Sequence, residues 1–331
     1  EPHAFGALTA FGAPLLGFLG QSGALINLIN PGSGQGKSTV LHMCNSVYGH
    51  PKDLCFKQDD TLNGKIQKLG IFNTLPATFD EMTSIRPADL STLMYSISTG
   101  VGKDRMKQSS NELRENNTRW NLLALCSSNA SFYDKLATLK DSPDGEMMRA
   151  IEYQIEHSTV IDAAYGKQMF DHQLFENYGH AGDIYAQWLV NNLEEAKKIC
   201  VDVQAKIDLK LNLTQRERFW SAIVAANFAG ALIAKTRLGL FDWDLAPVYN
   251  WACNMVLELR KEVVPPTLNS MTVLGDFINR HMQNALVVND AVDRRTNKTM
   301  LPTMEPRGEL VIRLEPDTHR MYIPVKQFRA D

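Results

Sequence analysis

One stretch limits the folds open to this 331-residue chain more than any other. Ala24-Leu-Ile-Asn-Leu-Ile-Asn30 runs into Pro31-Gly-Ser-Gly-Gln-Gly36, and Lys37-Ser38-Thr39 follows at once. A short apolar run bounded by glycine and proline reads as a buried strand. Gly32–Gly36 is then a glycine-rich loop, and Val40, Leu41, Cys44 and Val47 give Lys37–Tyr48 helical spacing. Strand, loop and helix in that order make a cradle for phosphate: successive backbone N–H groups turn inward and the helix adds its dipole. Gly32, Ser33, Gly34, Gln35, Gly36, Lys37, Ser38 and Thr39 are the candidate binding residues. Lys37 would reach the β- and γ-phosphates of ATP, and the Ser38 hydroxyl would ligate Mg²⁺. Pro31 stands where the usual GxxxxGK[ST] spacing has its first glycine, with Gly32 and Gly34 left to supply the backbone freedom. The plainer reading is a glycine-rich turn that ends in Gly-Lys-Ser by chance.

Three more positions belong with that loop if it serves a nucleotide. Leu75-Pro-Ala-Thr-Phe-Asp80-Glu81 is a strand over Leu75–Met82 whose carboxyl end offers Asp80 to Mg²⁺ and Glu81 to polarise an attacking water. An acid pair after an apolar run is otherwise an ordinary solvated strand end. Trp120–Cys126 is a further buried strand, and Asn129 beyond it could bond the γ-phosphate or the water, with Ser128 the close alternative. A helix N-cap is the competing reading of both. Arg149 precedes a short strand at Ile151–Ile155, where an arginine could reach a neighbouring subunit's nucleotide; a lone arginine is more often half of a surface ion pair.

Helical spacing at Thr61–Leu69 and Ala88–Ser98 completes an alternation of strand and helix to about residue 160, which predicts an α/β layer with a mainly parallel sheet. Beyond it, Ala181–Leu211, Thr214–Leu238, Asp244–Glu262 and Thr272–Val288 read as helices. Glu309–Leu314 and Arg320–Pro324, with a turn at Pro316–Asp317, read as a closing hairpin. The predicted division is a core over 1–160, a helical region over 161–240 and a winged-helix-like end over 241–331.

Taken in order, these motifs resemble a ring-forming AAA+-type P-loop ATPase. They are most similar to a phage and prophage helicase-like family long catalogued as a domain of unknown function. The matching residues are the loop, Leu75-Pro76 with Asp80-Glu81, Leu93-Met-Tyr95-Ser-Ile-Ser98, Gly100-Val-Gly-Lys103-Asp-Arg105 and Trp120-Asn-Leu-Leu-Ala-Leu125. The likeness covers about residues 5–160. It implies a DNA-stimulated ATPase, a replicative DNA helicase that assembles as a homo-oligomeric, hexameric ring on single-stranded or forked DNA. It also implies a hairpin in the ring's pore, for which Gly100–Arg119 is the place. Lys103, Arg105 and Lys107 alternate there and would line one face of an extended strand, tracking phosphates without reading sequence. A solvated loop is the bland reading of the same charges.

Composition enters at this point because it looks unfavourable. Thirty-four Lys and Arg against 37 Asp and Glu leave a net charge of −3, which excludes a uniformly basic nucleic-acid binder. A ring needs positive charge only in its pore. The basic residues beyond Arg294 fit either a DNA-contacting wing or an oligomer contact. Five scattered cysteines form no metal or disulfide pattern, so reduced thiols in a cytoplasm, that of a bacterial host for a phage protein, are expected. Residues 2–36 hold no Asp, Glu, Lys or Arg, yet Ala4–Gly20 is short, glycine-rich and interrupted by Pro14; it reads as a buried helix with small residues at its contacts, and no other stretch as a membrane span. The chain starts at Glu1 rather than Met, as a piece of a longer protein would. Two other functions share the loop: a phosphotransferase acting on a small molecule, and an ATPase that remodels protein assemblies.

Overall fold

The structure, a computed structural model, describes residues 1–103, 105–106, 113–114, 116–139, 143–157, 161–263, 270–288, 302 and 304–330. It forms two compact units, Glu1–Val263 and Val264–Asp331. The breaks predicted at 160 and 240 both fall inside the first unit.

Among its described residues that unit has seven strands: β1 (Gly23–Ile29), β2 (Cys55–Phe56), β3 (Ala77–Phe79), β4 (Arg105–Met106), β5 (Leu113–Arg114), β6 (Leu122–Ser128) and β7 (Ala150–Gln154). Five of them make one sheet in the order β2-β3-β6-β1-β7, and every pairing in it is parallel. Parallel strands need helices on both faces, so the sheet is buried almost throughout: six of the seven residues of β1 and all seven of β6 are buried. Register does the positioning. Ile29 lies opposite Ser128 and Phe79 opposite Cys126, so β1, β3 and β6 end together. From β1 the chain runs out to the edge at β2, returns through β3 and β6, and then passes β1 to reach β7 on its other side. Where connections diverge in this way, a crevice opens at the carboxyl ends of the strands.

The apolar amino-terminal segment departs from the expected single helix. It is three short pieces, Pro2–Ala7, Thr9–Gly12 and a tight 3₁₀ turn over Ala13–Leu19, which has Pro14 as its second residue and closes at the left-handed Gly20. These pieces pack on the Arg218–Thr236 helix so closely that a Cβ on Gly230 would stand 2.3 Å from the Phe11 carbonyl oxygen. Asn227 of the same helix donates to Phe5 O and Thr9 Oγ1. Among the described residues two stretches, Pro2–Leu19 and Gln215–Thr236, are long and apolar enough to cross a membrane, the second against expectation; the fold buries most of the apolar window of each.

The predicted helix 181–211 is broken at Asn192 into His180–Asn191 and Leu193–Leu211. Helices Lys37–Ser46, Leu62–Phe72, Pro87–Thr99 and Ala246–Val263 stand near their predicted places. In the second unit the Ser270–His281 helix stops seven residues before the predicted end. Ala285–Val287 is instead a strand, β8, which pairs parallel with β9 (Ile312–Glu315). β9 turns through Pro316–Thr318 into antiparallel β10 (Arg320–Tyr322). Phe277, Ala285, Val311 and Ile312 are this unit's buried core.

Candidate functional site

Everything at the site follows from the shared end of β1, β3 and β6. Past β1, Asn30 fastens the start of the loop: its Nδ2 donates to Ile155 O at 2.8 Å, and its Oδ1 accepts the Gly32 N–H at 2.7 Å. Gly36 is the N-cap of the Lys37–Ser46 helix at φ +89°, a left-handed conformation that glycine adopts without the Cβ penalty. A Cβ there would also stand 2.9 Å from His3 Nε2. That His3 nitrogen lies 3.1 Å from Gln35 O; a carbonyl only accepts, so Nε2 carries the proton. Burial pushes the His3 pKa down, which favours the neutral ring. Gln35 Oε1 accepts from His157 N at 2.7 Å, so the loop is held at both flanks. Lys37, only 8% exposed, curls over it and donates to Asn30 O at 2.6 Å and Gly32 O at 3.0 Å.

The acid pair comes to this loop from the neighbouring strands. Ser38 Oγ donates to Asp80 Oδ1 at 3.0 Å across 42 residues of chain. The same oxygen accepts from Ser127 Oγ at 2.5 Å, and Ser127 Oγ in turn accepts the Glu81 N–H at 2.9 Å. Glu81 is exposed and sits at φ +54°, a conformation that costs a residue with a Cβ about 1 kcal/mol or more. Asn129 Nδ2 lies 3.4 Å from Glu81 Oε1, while its backbone N–H donates to Thr83 Oγ1 at 2.7 Å. Ser128, the alternative to Asn129, is wholly buried and donates to Ala130 O, closing its own turn. Ser127 was readable only through register: it follows Cys126, the residue paired with Phe79, and so must face Asp80.

Among the described residues no cluster of three or more His, Cys, Asp or Glu could cage a metal ion alone. The oxygens of Ser38 and Asp80 are a hard, incomplete donor set. That fits Mg²⁺, which keeps several waters and shares substrate phosphates instead of filling a protein cage.

Beside the loop opens a cavity of about 790 Å³ between the amino-terminal segment, the start of the Lys37 helix, His157 and the stretch from Ile161 to Asp171. Its walls are mainly apolar, with Phe11, Met43, Phe170, Phe241 and Trp243 among them, and Gly34, Gln35 and Gly36 form its floor. Phe241 and Trp243 are stacked at 4.8 Å. No motif announces this cavity, because its walls come from segments more than 200 residues apart.

Two expected members lie elsewhere. Arg149 stands at the amino end of β7, where its carbonyl accepts the Leu25 N–H, at the opposite end of the sheet from the loop. Its guanidinium donates to Ser98 Oγ at 2.9 Å and to Gly145 O, between the rings of Tyr95 and Phe219. The hairpin of β4 and β5 also rises from that end: Val101 bridges Arg119, Gly102 N donates to Thr118 O, and the ladder pairs Arg105 with Arg114. Lys103 is exposed at its base, and Lys107 lies outside the described residues.

A family model described as a domain of unknown function (DUF927) matches residues 3–118. No curated protein matches the chain. Among solved structures, one titled "SCCmec type IV Cch - active helicase" is similar at 19% identity and a TM-score of 0.60, over 99% of this chain. This chain spans 59% of that protein's length. A crystal structure of JCV helicase bound to a thiazolopyridinyl-phenoxyphenyl acetamide aligns at 10% identity and a TM-score of 0.30, over 70% of this chain and 66% of its own. The fold, a five-stranded parallel sheet flanked by helices, is thus one shared with a helicase.

Proposed function

We propose that this chain is an ATP-driven motor on nucleic acid, a replicative DNA helicase of phage or mobile-element origin at work in a host cytoplasm. The observation that supports it is the linked set Ser38–Asp80–Ser127–Glu81 beside a glycine-rich loop, at the common end of three parallel strands. In this reading the loop N–H groups and Lys37 hold the phosphates, and the stacked Phe241 and Trp243 line the pocket for the base. Ser38 and Asp80 would hold Mg²⁺, which neutralises phosphate charge when bound. Glu81 takes a proton from the attacking water, and Asn129 orients it.

The assembly is a homo-oligomeric ring, a hexamer, with ATP at subunit interfaces. Arg149 could act only on a neighbour's nucleotide, since it stands at the far end of its own sheet. Lys103, Arg105 and Lys107 bind single-stranded or forked DNA through its phosphates. The helix, strand and hairpin of the second unit serve as a winged-helix-like element.

The test is ATP hydrolysis with and without single-stranded DNA. Lys37→Ala should lower the rate at least 100-fold, and intact hydrolysis in that variant sinks the reading of the loop. Changing Lys103, Arg105 and Lys107 together to Ala should leave the basal rate and abolish stimulation by DNA. A small-molecule phosphotransferase or a protein-remodelling ATPase would show no stimulation to lose.

A further inference from the structure

Beyond the acid pair and Asn129, the turn that follows Glu81 is bolted to the sheet by a residue without a role so far. Lys135, on the Phe132–Ala137 helix, sends its ammonium across 52 residues of chain to the carbonyl of Thr83 and to that of Ile85, the latter at 3.3 Å. Thr83 is held a second time, its hydroxyl accepting the Asn129 N–H at 2.7 Å. A third tie is the Glu81 N–H to Ser127 Oγ. The Met82–Ser84 turn therefore hangs from the strand and helix on either side of Asn129, and its first flank is Glu81 in a left-handed conformation. Strain of this kind persists only where the surroundings over-determine it.

We infer that Lys135 is a positioning residue for Glu81: by clamping the Thr83 and Ile85 carbonyls it keeps the strained Glu81 backbone in place, so that the carboxylate stays beside Asn129. A hydrophobic residue at 135 would leave two carbonyls to water and free the turn to relax, moving Glu81 relative to the loop. Lys135 is partly buried, which lowers its pKa, while the charge of the Glu81 carboxylate acts in the opposite sense. Displacements of about 1 Å in such a group cost on the order of 100-fold in rate. Ground-state binding should change little, because Lys37, which would hold the phosphates, is bonded to the loop carbonyls of Asn30 and Gly32 and not to this turn.

This inference rests on the reading of Glu81 as the residue that polarises water, and the test separates the two. Steady-state ATP hydrolysis and binding of a fluorescent, non-hydrolysable ATP analogue would be measured for the wild type, Lys135→Met, Lys135→Arg, Glu81→Gln and the Glu81→Gln/Lys135→Met double variant. Lys135→Met should lower kcat by about 10- to 100-fold with the analogue Kd within about threefold of wild type. Lys135→Arg, which keeps a donor for both carbonyls, should recover most of the loss. The double variant should be no slower than Glu81→Gln alone, as expected for residues that act as a unit. A Lys135→Met kcat within twofold of wild type overturns the inference, as does a parallel loss of binding and rate, or a double variant whose losses multiply. Should Lys135→Met fail to fold, Lys135→Gln carries the test: shorter and uncharged, it loses the clamp on the two carbonyls and should lower kcat severalfold at unchanged Kd, and no change overturns the inference. If Glu81→Gln hydrolyses ATP like the wild type, the functional reading falls and takes this inference with it. If Glu81→Gln is inactive and Lys135→Met is not, only the inference falls.

Discussion

The common end of β1, β3 and β6 and the flank of β7 are built from the same kinds of residue and treat them in opposite ways. At the strand ends, Lys37, Ser38, Asp80 and Glu81 bond to one another and to loop carbonyls, around an opening that leads to a 790 Å³ cavity. Along β7, Arg149 lies between two aromatic rings, and Glu152 inside the sheet accepts from Asn27 Nδ2 at 2.6 Å and Phe132 N at 2.7 Å. Polar groups of the first set can exchange partners for a ligand. Those of the second set are used up by the fold, because a buried charge stripped of its partners costs more than the pair contributes. Charge at a strand end is thus a poor guide to function until its partners are known.

The largest effect that would sharpen this contrast separates rate from stability. Lys37→Ala should remove at least 100-fold of hydrolysis yet cost about 1 kcal/mol or less of folding free energy, since water can take over the loop carbonyls at the open end. Arg149→Ala should do the reverse. It removes charge-assisted bonds to Ser98 and Gly145 and two ring contacts, on the order of 3 kcal/mol in chemical denaturation, with hydrolysis per folded molecule retained. An Arg149→Ala protein that melts like the wild type but no longer hydrolyses ATP would break the comparison and place Arg149 with the catalytic residues of a neighbouring subunit.

The parts of the molecule that were readable in advance are those where local pattern and tertiary need coincide. An apolar strand, a glycine-rich loop and a helix follow one another within Gly23–Ser46, so periodicity and turn chemistry suffice. Asp80 and Asn129 were readable because each ends an apolar run. Ser127 was not, since its part depends on which strand lies next to β3. Arg149 shows the limit from the other side: a lone arginine before a strand carries no sign of the serine, carbonyl and rings that enclose it. The amino-terminal segment misled for a related reason. Its composition is that of a helix, but close packing against Gly230 and the proline at 14 divide it. Β2, two residues long, offers no periodicity at all.

The smallest effect concerns Glu152 and is best seen as a pH dependence. Burial raises its pKa above the ordinary carboxylate value, outweighing the bonds from Ser131, Phe132 and Asn27 that pull the other way. The folded chain therefore holds this proton to a higher pH than the unfolded chain does. By linkage, stability falls as pH rises from the unfolded value of about 4.5 through the raised folded one, and levels off above it. Asn27 Oδ1 is buried without a hydrogen-bond partner, directly beside this carboxyl group, so an N–H at position 152 has an acceptor to meet. Glu152→Gln keeps an oxygen for Phe132 N and Asn27 Nδ2 and carries no charge at any pH. Its denaturation midpoint should match the wild type near pH 4 and exceed it at pH 8, with the difference opening only across that window. A Gln variant that is less stable at pH 8 than at pH 4 relative to the wild type would mean that Glu152 is held as a stabilised anion, and that the β7 flank too keeps a charge free for use.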